Sequence, residues 1–135
     1  MILPKYVVRP EEVVGGAPME GKHVRDLKVI YPGNVDPSPR SLILGVVEVD
    51  PGHHTPLHRH ECEEVYYVLS GRGEVEIEGE RYEVGEGYGV YIPVRAKHRI
   101  FNTGSEVLRY VAVGGIMFVP LVPEWPTKSP YEILE

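Results

Sequence analysis

Short runs rich in Val, Ile and Tyr recur along the chain, and turn residues separate them. The runs are "DLKVIY" (26–31), "SLILGVVEV" (41–49), "EEVYYVL" (63–69), "EVEIE" (74–78), "RYEV" (81–84), "GVYI" (89–92), "HRIFN" (98–102), "VLRYVAV" (107–113) and "IMFV" (116–119). Between them stand "SGRG", "EGE", "GEG", "NTGS" and "GG". β-branched and aromatic residues in runs of this length predict strands, and no segment sustains a helical period. Strands recurring at about ten-residue intervals predict an antiparallel sandwich or barrel.

One hairpin allows a register to be written down. With Gly79-Glu80 as a two-residue turn, Glu78 faces Arg81, Ile77 faces Tyr82 and Val75 faces Val84. Apolar then meets apolar on one face, at the cost of Glu76 opposite Glu83 on the other.

Composition narrows the setting. The 135 residues predict one domain, with 15 Gly and 13 Pro punctuating it. Residues 1–40 hold six prolines and are expected to form an N-terminal arm or edge strands. Residues 41–119 are expected to form the barrel. Residues 120–135, "PLVPEWPTKSPYEILE", form a Pro-rich tail suited to covering a sheet edge. A formal charge of −6 makes a nucleic-acid partner a poor expectation. The apolar start before Pro4 is too short for a signal-peptide core, and no run is long enough to span a bilayer. A lone cysteine has no internal disulfide partner, so a cytoplasmic location is expected.

The chemistry concentrates in "HHTPLHRHECEE" (53–64), which carries four of the six histidines and the only cysteine. On a strand, alternate side chains share a face, so His58 and His60 point one way and Arg59 the other. The even positions continue through Cys62, Glu64, Tyr66 and Val68. A break at 61–63 would shift that parity, leaving Glu63 and Glu64 both open as the acid. Two histidines two apart, followed by an acid at the start of an apolar strand, suit a metal, whose charge would offset the cost of burying a carboxylate. Outside this run stand only His23 and His98. His98 opens a strand and is preferred as a further ligand over His23, which sits in the polar segment "EGKHVRD".

At these residues the chain resembles the cupin family. Gly52, His58, His60, Glu64 and Gly71 fall on the positions of the first cupin motif. Gly87, Pro93, His98 and Asn102 fall on those of the second, where Arg95 replaces the usual glycine. The resemblance implies a jelly-roll β-barrel of two packed antiparallel sheets, with His58, His60, Glu64 and His98 as the metal ligands. It implies equally a small-molecule ligand or substrate and, commonly in this family, a homodimer. It says little about the reaction, because one such site serves many chemistries.

Three imidazoles and a carboxylate suit Mn, Fe, Ni, Cu or Zn better than Ca or Mg. The leading expectation is a metal-dependent enzyme acting on a small oxygenated metabolite by oxygenation, isomerisation or decarboxylation. The alternative is a non-catalytic binding module for a sugar-like ligand with a clamping metal. No catalytic residue is evident: Cys62 reads as a buried filler, Glu61 and Glu63 are weak candidates, and Tyr66, Tyr88 and Tyr91 are candidates for lining the cavity. His53 and His54 read as rim residues. Arg95 is a candidate for attracting an anionic ligand, at a turn where glycine would relieve a positive φ.

Overall fold

A computed structural model describes residues 2–15, 23–115 and 132–134. Among them there is no α-helix, only a 3₁₀ turn at Pro10–Glu12. The strands are β1 (Val14–Gly15), β2 (Val24–Ile30), β3 (Leu42–Val49), β4 (His58–Arg59), β5 (Glu64–Ser70), β6 (Arg72–Ile77), β7 (Glu80–Gly85), β8 (Gly89–Ile92), β9 (His98–Asn102), β10 (Leu108–Gly115) and β11 (Glu132–Ile133). They form two antiparallel sheets, one ordered β1-β2-β3-β10-β5-β8 and the other β11-β4-β9-β6-β7. The fold is all-β, an antiparallel double-sheet jelly-roll barrel. The run 116–119 lies outside the described residues.

Alternation decides which side chains enter the barrel. Along β5 the buried residues are Glu64, Tyr66 and Val68, while Val65 and Tyr67 face out. Along β9 they are His98, Ile100 and Asn102. Val24, Val47, Val49, Val75, Val84, Val90, Ile92, Leu108 and Ala112 complete the apolar part of the core. Burying each such side chain is worth about 1.5–3 kcal/mol before entropy is counted.

The β6–β7 hairpin departs from the expected register. Its turn residues are Glu78 and Gly79, both at positive φ (50° and 83°), as a two-residue type I′ turn demands. Val75 therefore pairs with Tyr82, Gly73 with Val84 and Ile77 with Glu80. The shift sets Arg81 across from Glu76, 3.4 Å away, and moves the like-charged pairing of Glu83 from Glu76 to Glu74. Glu78 is also held from outside: its amide donates to the Lys97 carbonyl (2.9 Å), and its Oε1 accepts from the Lys97 amide (2.8 Å).

The first forty residues do more than border the sheet. β2 is an inner strand, paired with β3 on one side and β1 on the other. Val8, Pro10 and Val13 line a groove over the outer faces of Leu27, Val29 and Val46. At the other end of the chain, β11 pairs with β4 and forms an edge of the second sheet.

Two motif glycines separate space from backbone conformation. Gly71 (φ 86°) leaves a Cβ only 2.7 Å from the Val107 carbonyl oxygen, whereas Gly52 (φ 81°) has open space around it. Gly71→Ala should therefore cost roughly 3 kcal/mol, strain and overlap together. Gly52→Ala should cost only the strain, about 1–2 kcal/mol. Denaturant titration of the two variants checks the difference.

Candidate metal centre

The chain crosses between sheets within the histidine-rich run. β4 lies in the second sheet and β5 in the first, with residues 60–63 as the crossing. The strand is broken here, yet the inward parity survives the break: His58, His60, Cys62, Glu64 and Tyr66 are all buried. Glu63 faces outward and accepts a hydrogen bond from the exposed Tyr91 hydroxyl. β9 pairs with β4 so that His98 stands directly opposite His58, with ring centroids 4.2 Å apart.

One ring nitrogen from each of His58, His60 and His98 lies within 4.8 Å of the other two. The opposite nitrogen of each ring is fixed by the backbone. His58 Nδ1 donates to the Pro56 carbonyl (2.7 Å), His60 Nδ1 to the Cys62 carbonyl (2.9 Å) and His98 Nδ1 to the Ala96 carbonyl (2.8 Å). A carbonyl only accepts, so each Nδ1 carries a proton and Nε2 is the ring nitrogen turned inward. Glu64 Oε1 stands 3.2 Å from His60 Nε2 and 3.5 Å from His98 Nε2, and accepts the Tyr66 hydroxyl at 3.0 Å.

Lone pairs facing a carboxylate repel unless something positive lies among them. Among the described residues, His98 Nε2 is buried and has no hydrogen-bond partner. This donor set fits a divalent transition metal, with the carbonyls orienting the rings as metal-binding imidazoles require.

Protonation is correspondingly skewed. Burial pushes His58 down to about 3, with the neighbouring His98 adding to it. Burial also works against a charged His60, but Cys62 and Glu64 outweigh it and raise its pKa to about 10. Burial works against the Glu64 carboxylate too, and contact with His60 and His98 overcomes this, holding it at about 2.

The remaining candidates sort by position. Cys62 is a buried filler whose Sγ lies 3.5 Å from His60 Nδ1. His54 packs on Phe101, and His53 stacks on His23 with ring centroids 3.8 Å apart. Of the tyrosines, Tyr66 lines the interior cavity, whereas Tyr88, just ahead of β8, and Tyr91, on the outward odd side of β8, are exposed. Arg95 adopts the left-handed conformation (φ 59°) that glycine would favour, so the turn is kept despite the substitution. Its guanidinium pairs with Glu61 at the surface, and its amide donates to the His60 carbonyl at 2.9 Å. Asn102 is a clamp. Its Nδ2 donates to the Val49 and Glu106 carbonyls (2.8 and 2.7 Å), and its Oδ1 accepts the Gly104 amide.

Sequence reasoning missed Asp26, Lys28 and Tyr110. All three are buried, and Asp26 and Tyr110 line the cavity beside His58, Glu64 and Tyr66. The alternation of "VRDLKVI" carried the signal, since Asp and Lys share a face opposite the apolar Leu27 and Val29. Polarity alone would turn that apolar pair inward, but the N-terminal groove covers it instead.

Two sheets closed over an inward cluster of three imidazoles and a carboxylate define a small jelly-roll barrel with a site suited to a transition metal. A profile of the cupin domain matches residues 45–114, and the chain belongs to the cupin family. An uncharacterized protein of Methanocaldococcus jannaschii is 36% identical over 91 residues, 67% of this chain and 70% of that one. A dimethylsulfoniopropionate lyase of Ruegeria pomeroyi is 41% identical over 73 residues, and the match spans 54% of this chain but only 47% of the lyase. Among solved structures, a polyketide cyclase of Streptomyces resistomycificus superimposes with a TM-score of 0.72 at 22% identity, covering 95% of this chain and 84% of the cyclase.

After chelation, stability should fall as the pH drops from about 6.5 towards 3. His58 has a lower pKa folded than unfolded, so its contribution is present above the unfolded value and lost as unfolding takes up a proton. His58→Gln should flatten this part of a plot of denaturation midpoint against pH.

Proposed function

We propose that the protein is a metal-dependent cupin enzyme in which His58, His60, Glu64 and His98 hold one divalent transition metal: Mn, Fe, Ni, Cu or Zn. The observation that carries this reading is the inward set of three Nε2 atoms, each ring locked by a backbone carbonyl. A metal held there supplies Lewis-acid polarisation of a bound oxygen. The chain's own groups orient the ligands and, through Tyr66, hold the Glu64 carboxylate in place. Tyr66 and Tyr110, with rings 4.5 Å apart, wall the adjoining space, a cavity of about 20 Å³ with room for one water-sized group.

The substrate class is a small oxygenated metabolite, and the reaction an oxygenation, isomerisation or decarboxylation. The lyase similarity supports an enzyme. An Arabidopsis thaliana auxin-binding protein, 33% identical over 89 residues that span 54% of this chain and 45% of that one, supports instead a binding module. Screening metabolites by thermal shift and then seeking product separates the two, since a module returns its ligand unchanged.

Metal analysis should find one ion per chain in the wild type. His58→Ala and Glu64→Ala should each weaken binding on the order of 100-fold or more. Equal metal content in all three proteins would end the proposal. We also infer a homodimer through the outer face of the first sheet, where Leu42, Val65, Tyr67 and Tyr91 are exposed. Light scattering at the mass of a single 15.2 kDa chain would exclude it.

A further inference from the structure

The barrel interior holds an ionic pair outside the histidine–glutamate cluster. Asp26 and Lys28 both point inward from β2, 5% and 6% exposed, with Oδ2 and Nζ 3.9 Å apart. That separation is too long for a hydrogen bond. A buried pair without good geometry does not repay its desolvation, and two apolar side chains would serve folding as well. Lys28 has a further partner, its Nζ standing 5.5 Å from the centroid of the Tyr31 ring, but packing gives no such reason for Asp26.

Position gives one. Asp26 lines the cavity that His58, Glu64, Tyr66 and Tyr110 also line. Gly45, paired with Lys28 across the sheet, keeps this corner open. A Cβ there would lie 3.4 Å from Asp26 Oδ1 and 3.3 Å from the Tyr31 hydroxyl oxygen. The other acid facing the cavity is already committed, because Glu64 Oε1 meets His60 and Tyr66. Among the described residues, the only ion pair of Asp26 is with Lys28.

We propose that Asp26 is the catalytic base of the barrel, acting on a small molecule that has two chelating oxygens and an acidic C–H beside a carbonyl. The proposal rests on the metal reading above. In the step, a carboxylate oxygen of Asp26 takes the proton from carbon, and the C–H electron pair passes into the carbonyl to give an enolate. Return of that proton to the same or a neighbouring carbon restores the Asp26 carboxylate, so no oxidant or further reactant is needed. Burial raises the pKa of Asp26 and Lys28 opposes it, and a desolvated carboxylate is a stronger base than one in water. The cavity admits one small group, so only the reacting end of the molecule reaches Asp26.

Pyruvate serves as the probe, since it chelates metals and carries an acidic methyl group. Manganese-loaded wild type, D26N, D26S and H58A are incubated with pyruvate in D2O. Proton NMR follows loss of the methyl signal, with metal content and pyruvate affinity measured on the same samples. The wild type should exchange, and D26N should exchange roughly 100-fold more slowly or worse, with metal and affinity unchanged. D26S provides the same comparison should D26N not fold. Wild-type exchange in a metal-loaded Asp26 variant, or none by the wild type beyond free manganese, overturns the proposal and leaves the metal reading intact. Metal content in H58A equal to the wild type removes both.

Discussion

Three inward imidazole nitrogens and a carboxylate turned toward one another form an arrangement that a folded protein does not keep without a positive charge among them. The backbone enforces it. Each Nδ1 is held by a carbonyl two residues away, so no ring can relieve the repulsion by turning over. A proton shared between His60 and Glu64 answers part of the demand, and a divalent cation would answer all of it. The raised pKa of His60 and the lowered pKa of Glu64 express the same pressure.

The rest of the barrel can be understood as what brings those groups together. His58 and His98 face each other across adjacent strands of one sheet, while Glu64 arrives from the other. The crossing at 60–63 has to deliver two inward side chains, His60 and Cys62, on alternate positions while changing sheets. The Arg95 turn braces it, because the amide of that left-handed residue bonds the His60 carbonyl. Asn102 and the amide of Gly52 tie the ends of the two motif segments together, since Asn102 bonds the carbonyls of Val49 and Glu106 and its own carbonyl accepts from Gly52. The motif asparagine is thus a structural clamp.

β2 shows how far a tertiary arrangement can overrule a local pattern. Leu27 and Val29 are the apolar members of its alternation, and propensity alone would bury them against the core. The N-terminal residues Val8, Pro10 and Val13 offer them a second apolar surface outside the barrel. That frees the opposite face to carry Asp26 and Lys28 inward. The hairpin register departs for a related reason. Which of Glu78 and Glu80 joins Gly79 in the turn depends on Lys97, a residue far along the chain that grips Glu78 by both amide and side chain.

The strand class, the shared inward face of His58 and His60, the inward aim of His98 and the cupin resemblance were all legible in the order of residues. Each rests on short-range facts: a two-residue strand period, turn residues and the spacing of donor side chains. Only the folded barrel decided the hairpin register, the outward aim of Tyr88 and Tyr91, and the inward aim of Asp26 and Lys28. The register depends on the Lys97 backbone that holds Glu78, and the aim of the side chains on which surface lies against each face of a strand. A single strand has two faces and its own sequence ranks them by polarity, but burial is settled by neighbours that arrive from elsewhere in the chain.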